Sequence, residues 1–290
     1  MKIEILTPTG YCQGVTLAIK IALRAKEENP DTSVYVLGML VHNEETISFL
    51  NRKGIITLTN EDNDLFKLIE LVPNNSVIVF TAHGHDERLD DIAKSKNLTI
   101  YDATCPMVKN NIALIKSKVN EGYQVLFIGK KNHPETEAML SISDHVILYD
   151  SNILKVNQKT TNCKIFVANQ TTMNYEDVKL IHQEILNVFP TAIVQNEVCN
   201  TTRLRQSNLR SADPAIDLIY VIGSRRSNNT MKLLQIAEFT FKDADVKLIL
   251  NIDDINKEDL NNKKHILLVS GASTPKESVD MIYDYLSSIS

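Results

Sequence analysis

The sequence contains no CxxC pair, no glycine-rich phosphate loop and no apolar run approaching the ~18 residues of a membrane helix. Without CxxC, zinc ribbons and thioredoxin-like sites lose support, because both place two ligands on one tight turn. Without GxGxxG or GxxxxGK[ST], dinucleotide and P-loop chemistry are weakly supported, and the glycines of GYCQG are spaced for neither. The amino terminus, Met1 to Thr7, enters an apolar run with no basic leader, so a cytoplasmic protein with no membrane role is expected. Positive charge is also short: 31 basic residues stand against 36 acidic ones, a formal charge of −5. No global field then draws nucleic acid, and any anionic ligand must be held locally.

What is present is ordinary for a globular protein, with 43% hydrophobic and 23% charged residues. At 290 residues the chain exceeds the usual domain size of roughly 150, which predicts two or three lobes. Apolar strand-like runs alternate with amphipathic helical stretches: Ser33–Leu37, Ser76–Phe80, Gln124–Ile128, Lys164–Val167, Leu218–Ile222 and His265–Val269 each lead through a polar turn into a helix-period segment. This is the pattern of parallel α/β sheets. Pro106, Pro134 and Pro275 each suit the first turn of a helix, where a missing N–H costs nothing.

Cysteine is sparse, at four residues: Cys12, Cys105, Cys163 and Cys199. Without a secretion signal these favour thiol chemistry or metal binding over a disulfide framework. Cys12 and Cys105 are 93 residues apart, and Cys105 and Cys199 are 94 apart; Cys163 falls outside the period. Within each period a strand-ending glycine is followed four residues later by a polar group: Gly38 to His42, Gly129 to His133, Gly223 to Ser227. A third element keeps the same order, at His83 in FTAHG, Thr171 in VANQTT and Ser273 in VSGAST. The expected architecture is three similar α/β lobes with parallel sheets around a pseudo-threefold axis and a central iron-sulfur site. The lobes run over 14–105, over 106–199, and over 1–13 with 200–290, and the terminal strand joins the third. Ligands of parallel sheets bind beyond the carboxyl ends of the strands, so these turns are expected to face a common centre.

Three soft thiolates with no fourth periodic partner suit an iron-sulfur cluster with one iron not bound by cysteine, or a metal with an open position. Taken singly, each cysteine could be a buried apolar residue; the shared period favours ligation by Cys12, Cys105 and Cys199. Cys163, ahead of the apolar strand in TNCKIFV, reads as a buried thiol. His42, His83, His133, Thr171, Ser227, Asn228, Asn229 and Ser273 form a set of donors beside helix amino termini, where phosphate binds well without an arginine cluster. Capping alone would also explain the Ser, Thr and Asn residues. Glu135, in the HPE sequence, is either a dipole partner on a first helical turn or a proton donor. Arg225 and Arg226 read as a solvated turn.

In order and spacing, GYCQGV, LVHNE, TAHG, YDATCP, NHPET, NQTT, VCNTTRLRQ, GSRRSNNT and SGAST resemble the 4-hydroxy-3-methylbut-2-enyl diphosphate reductases, the IspH or LytB family, over almost the whole chain. The resemblance implies the last step of the non-mevalonate isoprenoid pathway. There a [4Fe-4S] cluster on three cysteines reductively removes the substrate's hydroxyl, with electrons from a ferredoxin or flavodoxin type partner. It assigns the cluster to Cys12, Cys105 and Cys199, and proton donation to Glu135 with Thr171 and His133 in the relay. It assigns the diphosphate to His42, His83, His133, Ser227, Asn228, Asn229 and Ser273. GSRRSNNT departs from the family, which more often has Asn where Arg226 stands and a second Ser where Asn228 stands. No appended RNA-binding module is expected after the last motif. Two rival classes remain open to the residues themselves: a mononuclear zinc or iron hydrolase of a phosphorylated substrate, and a non-enzymatic iron-sulfur redox sensor.

Overall fold

A computed structural model describes residues 1–62, 64–150 and 164–289. Cys163 lies outside the described residues. In chain order the strands are β1 (Lys2–Ile5), β2 (Val34–Leu37), β3 (Ile55–Leu58), β4 (Val77–Phe80), β5 (Thr99–Asp102), β6 (Tyr123–Ile128), β7 (Val146–Leu148), β8 (Lys164–Asn169), β9 (Ile193–Val194), β10 (Leu218–Ile222), β11 (Asp245–Ile249) and β12 (His265–Ser270). They form three parallel four-stranded sheets in the orders β3-β2-β4-β5, β7-β6-β8-β9 and β1-β12-β10-β11. Read from its other edge, the last is β11-β10-β12-β1, which is the same wiring with the amino-terminal strand in fourth place. Its register fixes that place, with Lys2 opposite His265 and Ile5 opposite Leu268.

The wiring accounts for the cysteine period. Cys105 follows β5, Cys199 follows β9 and Cys12 follows β1, so each thiol stands after the fourth strand of its sheet. Each also starts a helix in the same way. The carbonyls of Cys12, Cys105 and Cys199 accept from the N–H groups of Thr16, Lys109 and Arg203 at 3.0, 2.9 and 2.9 Å. Cys105 and Cys199 share one cap conformation, φ −56° with ψ 136° and φ −55° with ψ 137°. Pro106 and Pro134 occupy the first helical turn as the sequence predicts, whereas Pro275 is the cap itself, one position earlier.

Two compact units are present, and two of the sheets fall in one of them. One unit comprises Met1–Thr16, Val41–Ser48 and Cys199–Ser290, and the other Leu17–Leu40 and Phe49–Val198. In the first, alternate residues of β10 enter opposite cores, as the period of two in a strand requires. Ile219 and Val221 pack with Leu233 and Ile236 of the helix Asn228–Thr240, while Leu218, Tyr220 and Ile222 pack with Val279 and Ile282 of the helix Lys276–Ser288. In the second unit β6 does the same: Val125 and Phe127 meet Val108 and Ile115, and Leu126 and Ile128 meet Val178 and Ile185. Strands covered on both faces read as unbroken apolar runs. Two of the periodic glycines are required by close packing at the strand ends. A Cβ at Gly129 would run into Thr136 Oγ1, and one at Gly223 would lie 2.7 Å from Thr230 Oγ1 and 2.8 Å from Thr274 Oγ1. No described helix is long and apolar enough to cross a membrane.

Candidate active site

In the first unit, three strand-end loops meet. Ser273, past the end of β12, donates from Oγ to the His42 carbonyl at 3.2 Å and lies 3.4 Å from Ser227 Oγ. Ser227 caps the helix Asn228–Thr240 by accepting from the Thr230 N–H at 3.3 Å, so capping and site roles fall on one hydroxyl. Asn228 and Asn229 open that helix and are 7% and 4% exposed. Both amide atoms of Asn229 are buried without a hydrogen-bond partner in the structure. A buried amide normally has partners, so an orphaned one at a helix amino terminus is a ready donor to an anion. Arg225 and Arg226 are exposed, and Arg226 Nε stands 3.8 Å from Glu44 Oε1.

Cys12 and Cys199 belong to the same unit and are free, partly buried thiols close enough to repel each other as thiolates. Burial pushes the Cys12 thiol up, and Cys199 adds to the rise; the Val15 N–H and the Arg205 guanidinium pull it back. Val15 N lies 3.5 Å from Cys12 Sγ, and Cys12 N donates to the Ala272 carbonyl at 3.0 Å, tying the thiol loop to the turn that carries Ser273.

The second unit repeats that tie: Cys105 N donates to the Ala82 carbonyl at 3.0 Å, beside His83. Cys105 is also a partly buried cysteine outside any disulfide. The His83 and His133 rings meet edge to face, with centroids 5.5 Å apart. His133 caps the helix Pro134–Leu140 by accepting from the Glu135 N–H at Nδ1, 3.2 Å away, which leaves the proton of the neutral ring on Nε2. Glu135 is 1% exposed. Its Oε1 accepts from the Thr171 N–H at 2.7 Å and its Oε2 from the Thr171 hydroxyl at 2.9 Å. Burial raises the Glu135 carboxyl from 4.5 to about 7, against the opposing pull of both Thr171 bonds. Glu135 is thus a buried carboxyl on the first turn of its helix rather than a solvated one.

Thus the sequence-derived candidates fall into two sets. Cys12, Cys199, His42, Ser227, Asn228, Asn229 and Ser273 lie in one unit, and Cys105, His83, His133, Glu135 and Thr171 in the other. Among the described residues no three His, Cys, Asp or Glu side chains could share one metal ion. A cluster asks for something else, one thiolate to each of several irons. Cysteines at helix amino termini and outside any disulfide, where the dipole favours the thiolate, fit such a group.

Two buried residues of this region were not singled out from sequence. Gln170 accepts from Lys130 N at 3.0 Å and donates to Thr172 Oγ1 at 2.8 Å, fixing the turn before Thr171. Arg205 is 2% exposed near Cys12. Both stand inside quoted motifs, NQTT and VCNTTRLRQ, but nothing in the string itself marks them as buried.

The family described as LytB protein matches residues 3–287. The chain is 38% identical over 289 residues to 4-hydroxy-3-methylbut-2-enyl diphosphate reductase of Brevibacillus brevis, spanning 99% of this chain and 91% of that one. It is 35% identical over 290 residues to the protein of the same name in Symbiobacterium thermophilum, spanning 99% and 97%. Among solved structures, E-1-hydroxy-2-methyl-but-2-enyl-4-diphosphate reductase of Plasmodium falciparum matches with a TM-score of 0.89 at 29% identity, over 99% of this chain and 88% of that one. The matching sheets, the shared length and these identities lead to one conclusion, that the chain belongs to the LytB family.

Proposed function

We propose that the chain is a 4-hydroxy-3-methylbut-2-enyl diphosphate reductase, the terminal enzyme of the non-mevalonate pathway, yielding isopentenyl and dimethylallyl diphosphates. Membership of the LytB family over residues 3–287 supports this. Replacing a C–O bond by C–H consumes an electron pair and protons and releases water, so the protein must anchor the anion, deliver protons and hold an electron source. Cys12, Cys105 and Cys199 together hold a [4Fe-4S] cluster, each at the end of its own lobe: 14–105, 106–199, and 1–13 with 200–290. When bound, the cluster supplies the electrons for C–O cleavage.

The single observation that carries the mechanism is the buried Glu135 carboxyl, which burial raises to about 7 and Thr171 holds through both oxygens. At neutral pH a large share of such a group is the acid, so it can give up a proton where a surface glutamate could not. Thr171 fixes its orientation and passes the proton on through its hydroxyl, and His133 fixes the start of the helix that carries Glu135. The residues assigned to the diphosphate are His42, His83, His133, Thr171, Ser227, Asn228, Asn229 and Ser273. The orphaned Nδ2 amide of Asn229 has two protons to donate, and an anion is a natural acceptor for them. The electron donor is a ferredoxin or flavodoxin type protein, and the enzyme works in the cytoplasm.

The test is anaerobic reconstitution with iron and sulfide, then turnover of 4-hydroxy-3-methylbut-2-enyl diphosphate with a chemically reduced dye. Bound iron and sulfide together with both isoprenoid products is the expected result. Zinc in place of iron, or phosphate release without reductant, would overturn it in favour of a hydrolase. A cluster without turnover would point to a redox sensor.

A further inference from the structure

Arg205 has no task in the reading above, yet it is among the largest fully buried side chains. Helical side chains lean toward the amino end of their helix, so Arg205, on the helix Asn200–Arg210, reaches back toward the end capped by Cys199. There Nη1 donates to the Ser270 carbonyl at 2.6 Å and to Ser270 Oγ at 3.1 Å, while Nη2 donates to the Gly10 carbonyl at 2.6 Å. One guanidinium thereby joins the loop leading into Cys12, the strand end leading to Ser273, and the helix that starts at Cys199. All its acceptors are neutral, and Cys12 is the one ionisable group among the described residues that acts on it. Carbonyls satisfy N–H groups but do not cancel a charge, and an uncompensated buried cation is strongly unfavourable. Unlike lysine, arginine cannot escape by losing its proton near neutrality. A neutral amide could make such bonds to carbonyls; the positive charge requires a second reason.

We propose that Arg205 is a positioning residue for Cys12 and Cys199 and the fixed counter-charge for the negative charge they carry with their cluster, so that an added electron is stabilised there. This rests on the cluster reading of Cys12 and Cys199. Its test uses the reconstituted holoprotein, wild type beside Arg205→Lys, Arg205→Gln and Ser270→Asp. The last variant keeps the guanidinium but sets a carboxylate beside it, where Ser270 Oγ now accepts from both Arg205 and the Gly10 N–H.

Cluster reduction potential and the rate of iron loss to a chelator are the readouts, with far-ultraviolet circular dichroism to check folding. Arg205→Lys is expected to keep the wild-type potential while losing iron several-fold faster, since the charge stays and the forked bonds go. Arg205→Gln is expected to shift the potential to more negative values, which a merely structural staple would not require, and Ser270→Asp, which offsets the cation, is expected to shift it in the same direction. A wild-type potential in Arg205→Gln overturns the proposal; should that variant not fold, a wild-type potential in Ser270→Asp overturns it instead. If the wild type itself takes up no cluster, the functional reading fails and this inference fails with it. If the wild type is loaded and only the variants fail to shift, the functional reading stands and the role of Arg205 alone is lost.

Discussion

Glu135 and Arg205 are both ionisable, both buried and both held by hydrogen bonds to neutral groups, yet burial acts on them to opposite ends. The carboxyl rises to about 7 and so escapes its charge by keeping a proton. The guanidinium falls to about 10, still far above neutrality, and remains a cation. Removing a group from water penalises charge in either case; what differs is whether the group has a neutral form within reach at physiological pH. In the proposed reading one region of the protein thereby stores a proton and another stores a charge, which are two things a reductive dehydroxylation needs.

The largest expected effect would break the comparison at its cationic side. Serine is a harder and less readily ionised ligand than cysteine, so Cys12→Ser, Cys105→Ser and Cys199→Ser should each lose most of the cluster and nearly all turnover, while Cys163→Ser keeps both. Iron content and visible absorbance, measured side by side without oxygen, decide this. A colourless Cys163→Ser beside a fully loaded periodic variant would mean that the three periodic thiols are the wrong set.

At the other side, Glu135→Gln removes the proton store but leaves a side chain of the same shape. Turnover is expected to fall by roughly 10²–10⁴ with substrate affinity changed much less. Steady-state rates and calorimetric binding in one set of conditions would show the split.

Stability against pH sharpens the same point. Below 4.5 Glu135 is protonated in both folded and unfolded chains; between 4.5 and about 7 the unfolded chain ionises first and the fold loses ground. The wild type should therefore lose ~3 kcal/mol relative to Glu135→Gln as pH rises through that window, and no more above it. Denaturant titrations at several pH values would read this; parallel curves for the two proteins would count against a raised carboxyl.

The smallest effect should leave both buried groups untouched. His42→Ala and Ser227→Ala are expected to weaken diphosphate binding by roughly 1.5–3 kcal/mol each, with the cluster spectrum unchanged. Ser227→Ala should also cost ~1 kcal/mol of stability, because its hydroxyl caps a helix. Unaltered affinity in both variants would remove these residues from the anion site.

What the sequence reveals follows from burial. The six apolar runs read from it are β2, β4, β6, β8, β10 and β12, the two central strands of each sheet, and the amino-terminal run is β1. Both faces of the central strands are covered along most of their length, so their interiors are apolar while polar residues such as Lys164 and Asn169 stand at the ends. Edge strands such as β5 (TIYD) and β11 (DVKLI) mix polar with apolar residues, and β9 is only two residues long, so none stands out as a run. The cysteine period survives because the connections between fourth strands have nearly equal length. Glu135 and His133 could be marked as candidates from their place at a helix start. The Thr171 contact joins residues 36 apart, and the pairing itself is not written in either segment. Arg205 was the least legible, since its acceptors lie 195 and 65 residues away. An arginine in a helix of low apolar content reads as surface until the fold brings those carbonyls to it.

Infrared difference titration of the wild type against Glu135→Gln tests the proton store most directly, because it reads the protonation of one carboxyl without turnover. A protonated carboxyl band present in the wild type, absent in the variant and lost with a midpoint near 7 is the expected result. A carboxylate already fully formed at about pH 5, where an ordinary glutamate has ionised, would contradict it.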